Sequence, residues 1–184
     1  MSGDKRKGYS AGILPFTIRD NQIYYLLGRD WRDEGWSDFG GKVEDKDSNS
    51  IIKTATREFY EETMGSVMHE QELAQLLDNH RINATRVVRS VTLNGSPYYM
   101  HFVFIQDDEY SKYFNKIYDF LKYSKFDDAR YFEKCEIKWV SANEMNNSNP
   151  ELKLRNIFKR TLHRCQTNIQ DIEKDALKEY ALKP

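Results

Sequence analysis

Cysteine is scarce in this chain: only Cys135 and Cys165 occur in 184 residues. Two thiols cannot build the disulfide framework of a small secreted scaffold, and their surroundings lack metal-ligand spacing. Both are expected to be reduced. No apolar run reaches the ~20 residues that a bilayer-spanning helix needs, so no membrane partner is expected. The start, MSGDKRKGYS, is polar and has no apolar core of the signal-peptide kind, which points to a cytoplasmic protein with a flexible stretch over 1–7. An excess of positive charge is missing too. With 28 Lys and Arg against 29 Asp and Glu, the formal net charge is −1, and the overall basic field that grips nucleic acid non-specifically is excluded. Internal repeats and low-complexity linkers are absent, and the length suits one domain with a sizeable core.

What the chain does have is aromatic residues, 14% of the sequence, mostly Tyr and Phe. Ala11 to Ile18 (AGILPFTI) reads as a strand, RDNQ as a turn, and Ile23 to Gly28 (IYYLLG) as a returning strand. RDWRDEGWSDFGGK follows, a loop of charged and aromatic residues suited to lining a site. Ser50 to Thr63 repeats apolar residues at helical spacing, with Ile52, Ala55 and Phe59 on one stripe. Asn94-Gly95 marks a hairpin turn between TRVVRSVTL and YYMHFVFIQ. The pattern turns helical and aromatic from Asp107 to about Phe132. EIKWVSANEM reads as a strand entering a helix, and Pro150 opens a last helical region. Strands and helices are mixed throughout, which gives an α/β (α+β) domain.

The stretch GGKVEDKDSNSIIKTATREFYEETMG, Gly40 to Gly65, carries the chemistry. At about 100° per residue, Glu58, Glu61 and Glu62 fall within one arc of about 100°. The acids therefore border the buried stripe, while Lys53 and Tyr60 point away. Each close pair of like charges costs roughly 0.2–0.5 kcal/mol, a cost that invites a second purpose. Oxygen-rich clusters suit hard cations such as Mg²⁺ or Mn²⁺. Gly40 and Gly41 let the backbone run close to another group, and a carbonyl there can join a ligand set. Spacing alone leaves a second reading open: a solvated acidic face beside a structural Gly-Gly turn.

The stretch resembles the Nudix box, in which Gly, five residues, Glu and seven residues precede Arg-Glu-apolar-any-Glu-Glu-any-Gly-apolar. Gly41 opens the match, Asp47 stands at the first Glu position, and REFYEE (Arg57 to Glu62) fits throughout. Asp47 is shorter than the family's Glu. Nine residues, not seven, separate it from Arg57, and Met64 holds the family's Gly position with Gly65 one place late. SAGILPF, WSDFGGKVE and EIKWVSANEM are similar to flanking parts of the family, and the wording is also similar to that of Nudix proteins of large DNA viruses and phages.

The resemblance implies a Nudix fold, a mixed β-sheet sandwiched between α-helices, over 8–165, with 166–184 a C-terminal helical tail. It implies a Nudix hydrolase that cleaves a diphosphate linkage in a nucleoside diphosphate-linked substrate with Mg²⁺ or Mn²⁺. Glu58, Glu61 and Glu62 would be metal ligands, assisted by the Gly41 carbonyl, with Glu61 or Glu62 doubling as base. Arg57 would hold them in place by pairing with Asp47 or Glu44. Glu133 or Glu136 would supply a further acid. Arg29 and Lys42 are candidates for phosphate contacts. Trp36 and Phe39 either stack on a base or anchor the loop, and His101 reads as a core or sheet-face histidine. The helix of Tyr110 to Leu121 is core, dimer surface or an insertion over the substrate cleft. Alternatives are an mRNA-decapping enzyme acting on capped RNA and a Nudix-like binding module whose catalysis has lapsed. Monomer and homodimer are both compatible with the sequence.

Overall fold

The computed structural model describes residues 8–78, 86–146 and 151–182. The stretch 1–7 and Pro150 lie outside them. The central strand is β1 (Ser10–Arg19), buried on both faces almost end to end. It pairs antiparallel with β2 (Gln22–Asp30) and β4 (Phe39–Lys42), and parallel with β6 (Pro97–Phe104). β3 (Trp36–Ser37) and β7 (Lys134–Ser141) pair with β2, and β5 (Val87–Val91) with β6, which gives a mixed sheet of seven strands among the described residues.

Turn chemistry explains the hairpins. Asp20 and Asn21 both take left-handed φ, as a tight β1–β2 turn requires, and Gly95 does so in the Asn94-Gly95 turn. Strand alternation then sorts side chains to two cores. Leu14, Phe16, Tyr25, Leu27, Met100 and Phe102 point to one face. That face is covered by α4 (Ala142–Asn146), α5 (Asn156–Arg164) and α6 (Gln166–Ala181). Ala11, Ile13, Leu26, Phe39 and Val103 point to the other, with Ala55 and Phe59 of α1 (Ile51–Thr63), Leu73 of α2 (Glu70–Asp78) and Phe114 of α3 (Tyr110–Tyr123). The sheet is sandwiched between helices, as expected.

Several expectations are adjusted. The stretch 29–42 is largely strand, since β2 runs on to Asp30 and β3 and β4 follow. The last helical region starts only at Asn156, because the backbone at 153–155 is bonded to Trp36: Trp36 N donates to Lys153 O at 2.8 Å, and Arg155 N to Trp36 O at 2.9 Å. Helix α6, Gln166–Ala181, joins the core through Ile169, Ile172 and Ala176. His101 is buried on its strand, and burial lowers its pKa to about 4. Among the described residues no helix is long and apolar enough to cross a membrane.

Candidate functional site

Ser50 caps α1 by accepting from the Lys53 N–H, and the helix lays Ala55 and Phe59 on the sheet. Phe39 meets Phe59 edge-on at 5.3 Å between ring centres, which clamps β4 to the helix. That contact brings the glycine strand against the carboxylates. The Gly40 N–H donates to Glu62 Oε2 at 2.8 Å. A Cβ on Gly41 would stand 2.5 Å from the Glu58 carboxyl, so the absent side chain forms a cradle for that acid.

Arg57 organises the helix face from within. Its Nε and Nη2 donate to the two oxygens of buried Asp47 at 2.8 and 2.9 Å. Nη2 also donates to the Lys42 carbonyl at 2.9 Å, and Nη1 donates to Glu58 at 2.9 Å and Glu61 at 3.1 Å. Glu44 lies farther off, at 3.6 Å. The shorter Asp47 is delivered by the longer loop. A 3₁₀ turn, Asp45–Asp47, is followed by Ser48 and Asn49, both in left-handed conformation, so the extra residues fold into a tight reversal. At the other end of α1, Met64 takes the left-handed position expected of glycine and buries its side chain in the core.

Electrostatics follow from burial. Glu62 is 3% exposed, and burial raises its pKa to about 8; Glu58, Glu133 and Asp38 push the same way, and Lys134 opposes them. Burial likewise raises Glu58 to about 7, with Arg57 opposing and Glu61 and Glu133 reinforcing. Asp47 differs. Burial acts to raise it, but the bonds from Arg57, the Glu44 N–H and Thr54 bring it below the usual carboxylate range. Glu61 is surrounded by cations, with Lys46 Nζ at 3.1 Å and Arg130 Nη1 at 3.0 Å beside Arg57. Among the described residues no three His, Cys, Asp or Glu are already gathered in a metal-holding group.

The remaining candidates separate. Glu133, exposed just before β7, is close enough to perturb Glu58 and Glu62. Glu136 pairs with Arg29 at 2.9 Å in the β2–β7 register. Alternation puts that pair on the face of Val140 and Trp36, away from α1, so neither residue joins the acid cluster. Trp36 is 5% and Phe39 0% exposed, and both anchor the core; neither offers a face to a base. Lys42 is exposed at the rim of a pocket of about 220 Å³ lined also by Ser37, Asp38, Gly40, Tyr98 and Arg155.

Two buried groups near the carboxylates carry no motif in the sequence. Lys134, 1% exposed, passes over Gly28 to reach Ser37 Oγ at 2.9 Å and Glu62 Oε1 at 3.5 Å. Asp38 accepts a hydrogen bond from the Tyr98 hydroxyl, and burial raises its pKa to about 6. Lys134 looks like any lysine of an alternating strand. The one sequence signal for Asp38 is its place in the charged and aromatic stretch 29–42.

The paired glycines make a sharp contrast. Gly40→Ala would drive its Cβ to 2.6 Å from the Gly12 Cα and 2.7 Å from the Ala11 carbonyl, backbone atoms that cannot yield. It is expected to cost about 1–3 kcal/mol of stability in urea melts. Gly41→Ala meets only a movable carboxylate, so it is expected to leave the melt nearly unchanged and to impair whatever Glu58 does.

No protein-family model matches the chain. An uncharacterized protein of Acanthamoeba polyphaga mimivirus is 42% identical over 59 residues, a stretch covering 29% of this chain and only 19% of that protein. Among solved structures, the NUDIX domain of Shewanella oneidensis NrtR, complexed with ADP ribose, superposes with a TM-score of 0.52 at 12% identity over 90% of each chain. A Caenorhabditis elegans Ap4A hydrolase gives a TM-score of 0.47 at 13% identity over 89% of this chain and 98% of that one. The chain has the Nudix fold.

Proposed function

We propose that the protein is a divalent-metal-dependent hydrolase of a diphosphate linkage in a nucleotide-type substrate. The observation that carries this reading is the Gly41 cradle. A strand gives up its side chain so that the Glu58 carboxylate can lie against its backbone, beside Glu62 and within reach of the influence of Glu133. Buried, mutually repelling carboxylates are costly unless a cation shares them. The donor set is oxygen alone and fits Mg²⁺ or Mn²⁺. Glu58, Glu62 and Glu133, with the Gly41 carbonyl, would hold the ion, and Glu61 would join once Lys46 and Arg130 turn toward phosphate. When bound, the ion neutralises charge on the diphosphate.

The chain's own groups do the rest. Arg57 fixes the direction of Glu58 and Glu61, and the Gly40 N–H fixes Glu62. A carboxylate with a raised pKa is a competent acceptor for the proton of an attacking water. Water oxygen then bonds to one phosphorus as the bridging P–O bond breaks, and the leaving phosphate carries off that electron pair. Lys42, Lys46 and Arg130 line the approach and are suited to phosphate oxygens. The neighbouring Ser37–Asp38–Tyr98 pocket suits the nucleoside. ADP ribose bound by the NrtR domain is of this class.

Thermal melts with Mg²⁺ test the platform. An ion that binds only the folded protein raises its melting temperature, and this rise should vanish in Glu58→Gln. An acidic interface helix without a metal role predicts no divalent response in either protein.

A further inference from the structure

Lys134 occupies a place made for it. Strand alternation would put it on the Glu136 face of β7, away from α1. The register shift at Arg29 and Asp30 breaks that alternation at this end of the strand, and the side chain crosses to the α1 side over Gly28. A Cβ on Gly28 would stand 2.8 Å from the Phe39 ring and 2.9 Å from Lys134 Cδ, so β2 gives up a side chain to let the lysine pass. Lys134 is 1% exposed, and a charge buried that far is costly unless it is paired. Nζ has two partners, Ser37 Oγ at 2.9 Å and Glu62 Oε1 at 3.5 Å. Its charge also acts on buried Asp38.

The three helix acids are held by different groups. Arg57 Nη1 donates to Glu58 and Glu61, and Glu62 is gripped from the sheet instead. The Gly40 N–H holds Oε2 at 2.8 Å, and Lys134 Nζ faces Oε1. β4 and β7 thus hold the two oxygens of one carboxyl group, which cannot turn without losing a partner. A carboxylate offers about four acceptor sites, so two contacts leave room for an ion or a water proton. We propose that Lys134 is a positioning residue for Glu62, doing from β7 what Arg57 does for Glu58 and Glu61 from within α1. Ser37 lines the neighbouring pocket, so the ammonium also ties the pocket wall to this carboxylate. The inference rests on the hydrolase reading for what Glu62 does, and on geometry alone for where it points.

Lys134→Met keeps the chain over Gly28 and removes the charge. With Mg²⁺ and whichever of ATP, ADP ribose and Ap4A the wild type cleaves, it is expected to lower kcat about 10–100-fold and to leave KM nearly unchanged. Added to Glu62→Gln, the same substitution should lower kcat by no more than about twofold, since the group it positions is already disabled. A second readout needs neither metal nor turnover. In metal-free protein with ¹⁵N-labelled lysine, the Nζ signal that disappears in Lys134→Met is expected to shift in Glu62→Gln. Equal losses of kcat in both backgrounds, or no loss in either, would overturn the proposal and leave the hydrolase reading intact. If the wild type cleaves none of the three, the hydrolase reading fails in this assay, and the hold on Glu62 is decided by the Nζ signal: a shift supports it, and an unmoved signal overturns it. Should Lys134→Met not fold, Ser37→Ala takes its place, because it frees the 2.9 Å anchor of Nζ. It should then shift the Nζ signal and lower kcat only where Glu62 is intact; a loss independent of Glu62 would overturn the proposal.

Discussion

Glu62→Gln is expected to lower kcat by about a thousandfold, in the range lost with a positioned proton acceptor, while the protein stays folded. The amide oxygen still accepts from the Gly40 N–H, so β4 keeps its register on the helix. What is lost is the charge, in a place where charge is held at a cost. The pKa of Glu62, raised by burial from 4.5 to about 8, fixes the sign of a second effect. A carboxyl whose folded pKa lies above its unfolded value favours the fold in its neutral form. That contribution is complete below pH 4.5 and is lost as pH rises through 8. Metal-free wild type should therefore lose melting temperature across this window. Glu62→Gln should flatten the decline and be the more stable of the two at the alkaline end. An enzyme inactivated and at the same time stabilised by one substitution is the signature of a buried functional acid.

The largest stability effect is expected at Arg57. It is 5% exposed, and its partner Asp47 is 2% exposed, so removing the guanidinium strands a buried carboxylate. Arg57→Ala should cost about 3–5 kcal/mol in denaturant melts. Asp47→Asn should cost less, because one amide oxygen at the Oδ2 position still accepts from both Thr54 Oγ1 and the Glu44 N–H. A double-mutant cycle between Arg57 and Asp47 should return a coupling well above that of an exposed pair. Arg57→Lys is not conservative here, since one ammonium cannot serve Asp47, Glu58, Glu61 and the Lys42 carbonyl together.

How much of this was legible in the sequence depends on how local the cause is. The helix Ile51–Thr63 could be read because its apolar spacing and its Ser50 cap are local. The β5–β6 turn could be read because Asn-Gly enforces left-handed φ. The pairing of Arg57 with Asp47 was legible only through resemblance, since spacing does not show that Ser48 and Asn49 absorb the longer loop. Glu70–Asp78 gives no helical signal of its own, because its buried Leu73 and Leu77 are too few to make a stripe. The choice between Glu133 and Glu136 was not legible at all. It turns on the β2–β7 register and on a bulge at Arg29 and Asp30, which alternation in one strand does not reveal. The same holds for Trp36 and Phe39, since burial against α5 and α1 is a property of the packed sheet.

If Glu58 and Glu62, with Glu133 and then Glu61, hold a metal for diphosphate hydrolysis, incubating the wild type with dinucleotides, nucleoside triphosphates, nucleotide sugars and capped RNA in ¹⁸O-labelled water, with and without Mg²⁺, and weighing the products gives the decisive readout. The expected result is a nucleotide product with one ¹⁸O on phosphorus, formed only with the metal and absent in Glu62→Gln. Turnover that is indifferent to Mg²⁺ and undiminished in that variant, or no turnover of any substrate class with Mg²⁺ or Mn²⁺, would contradict it.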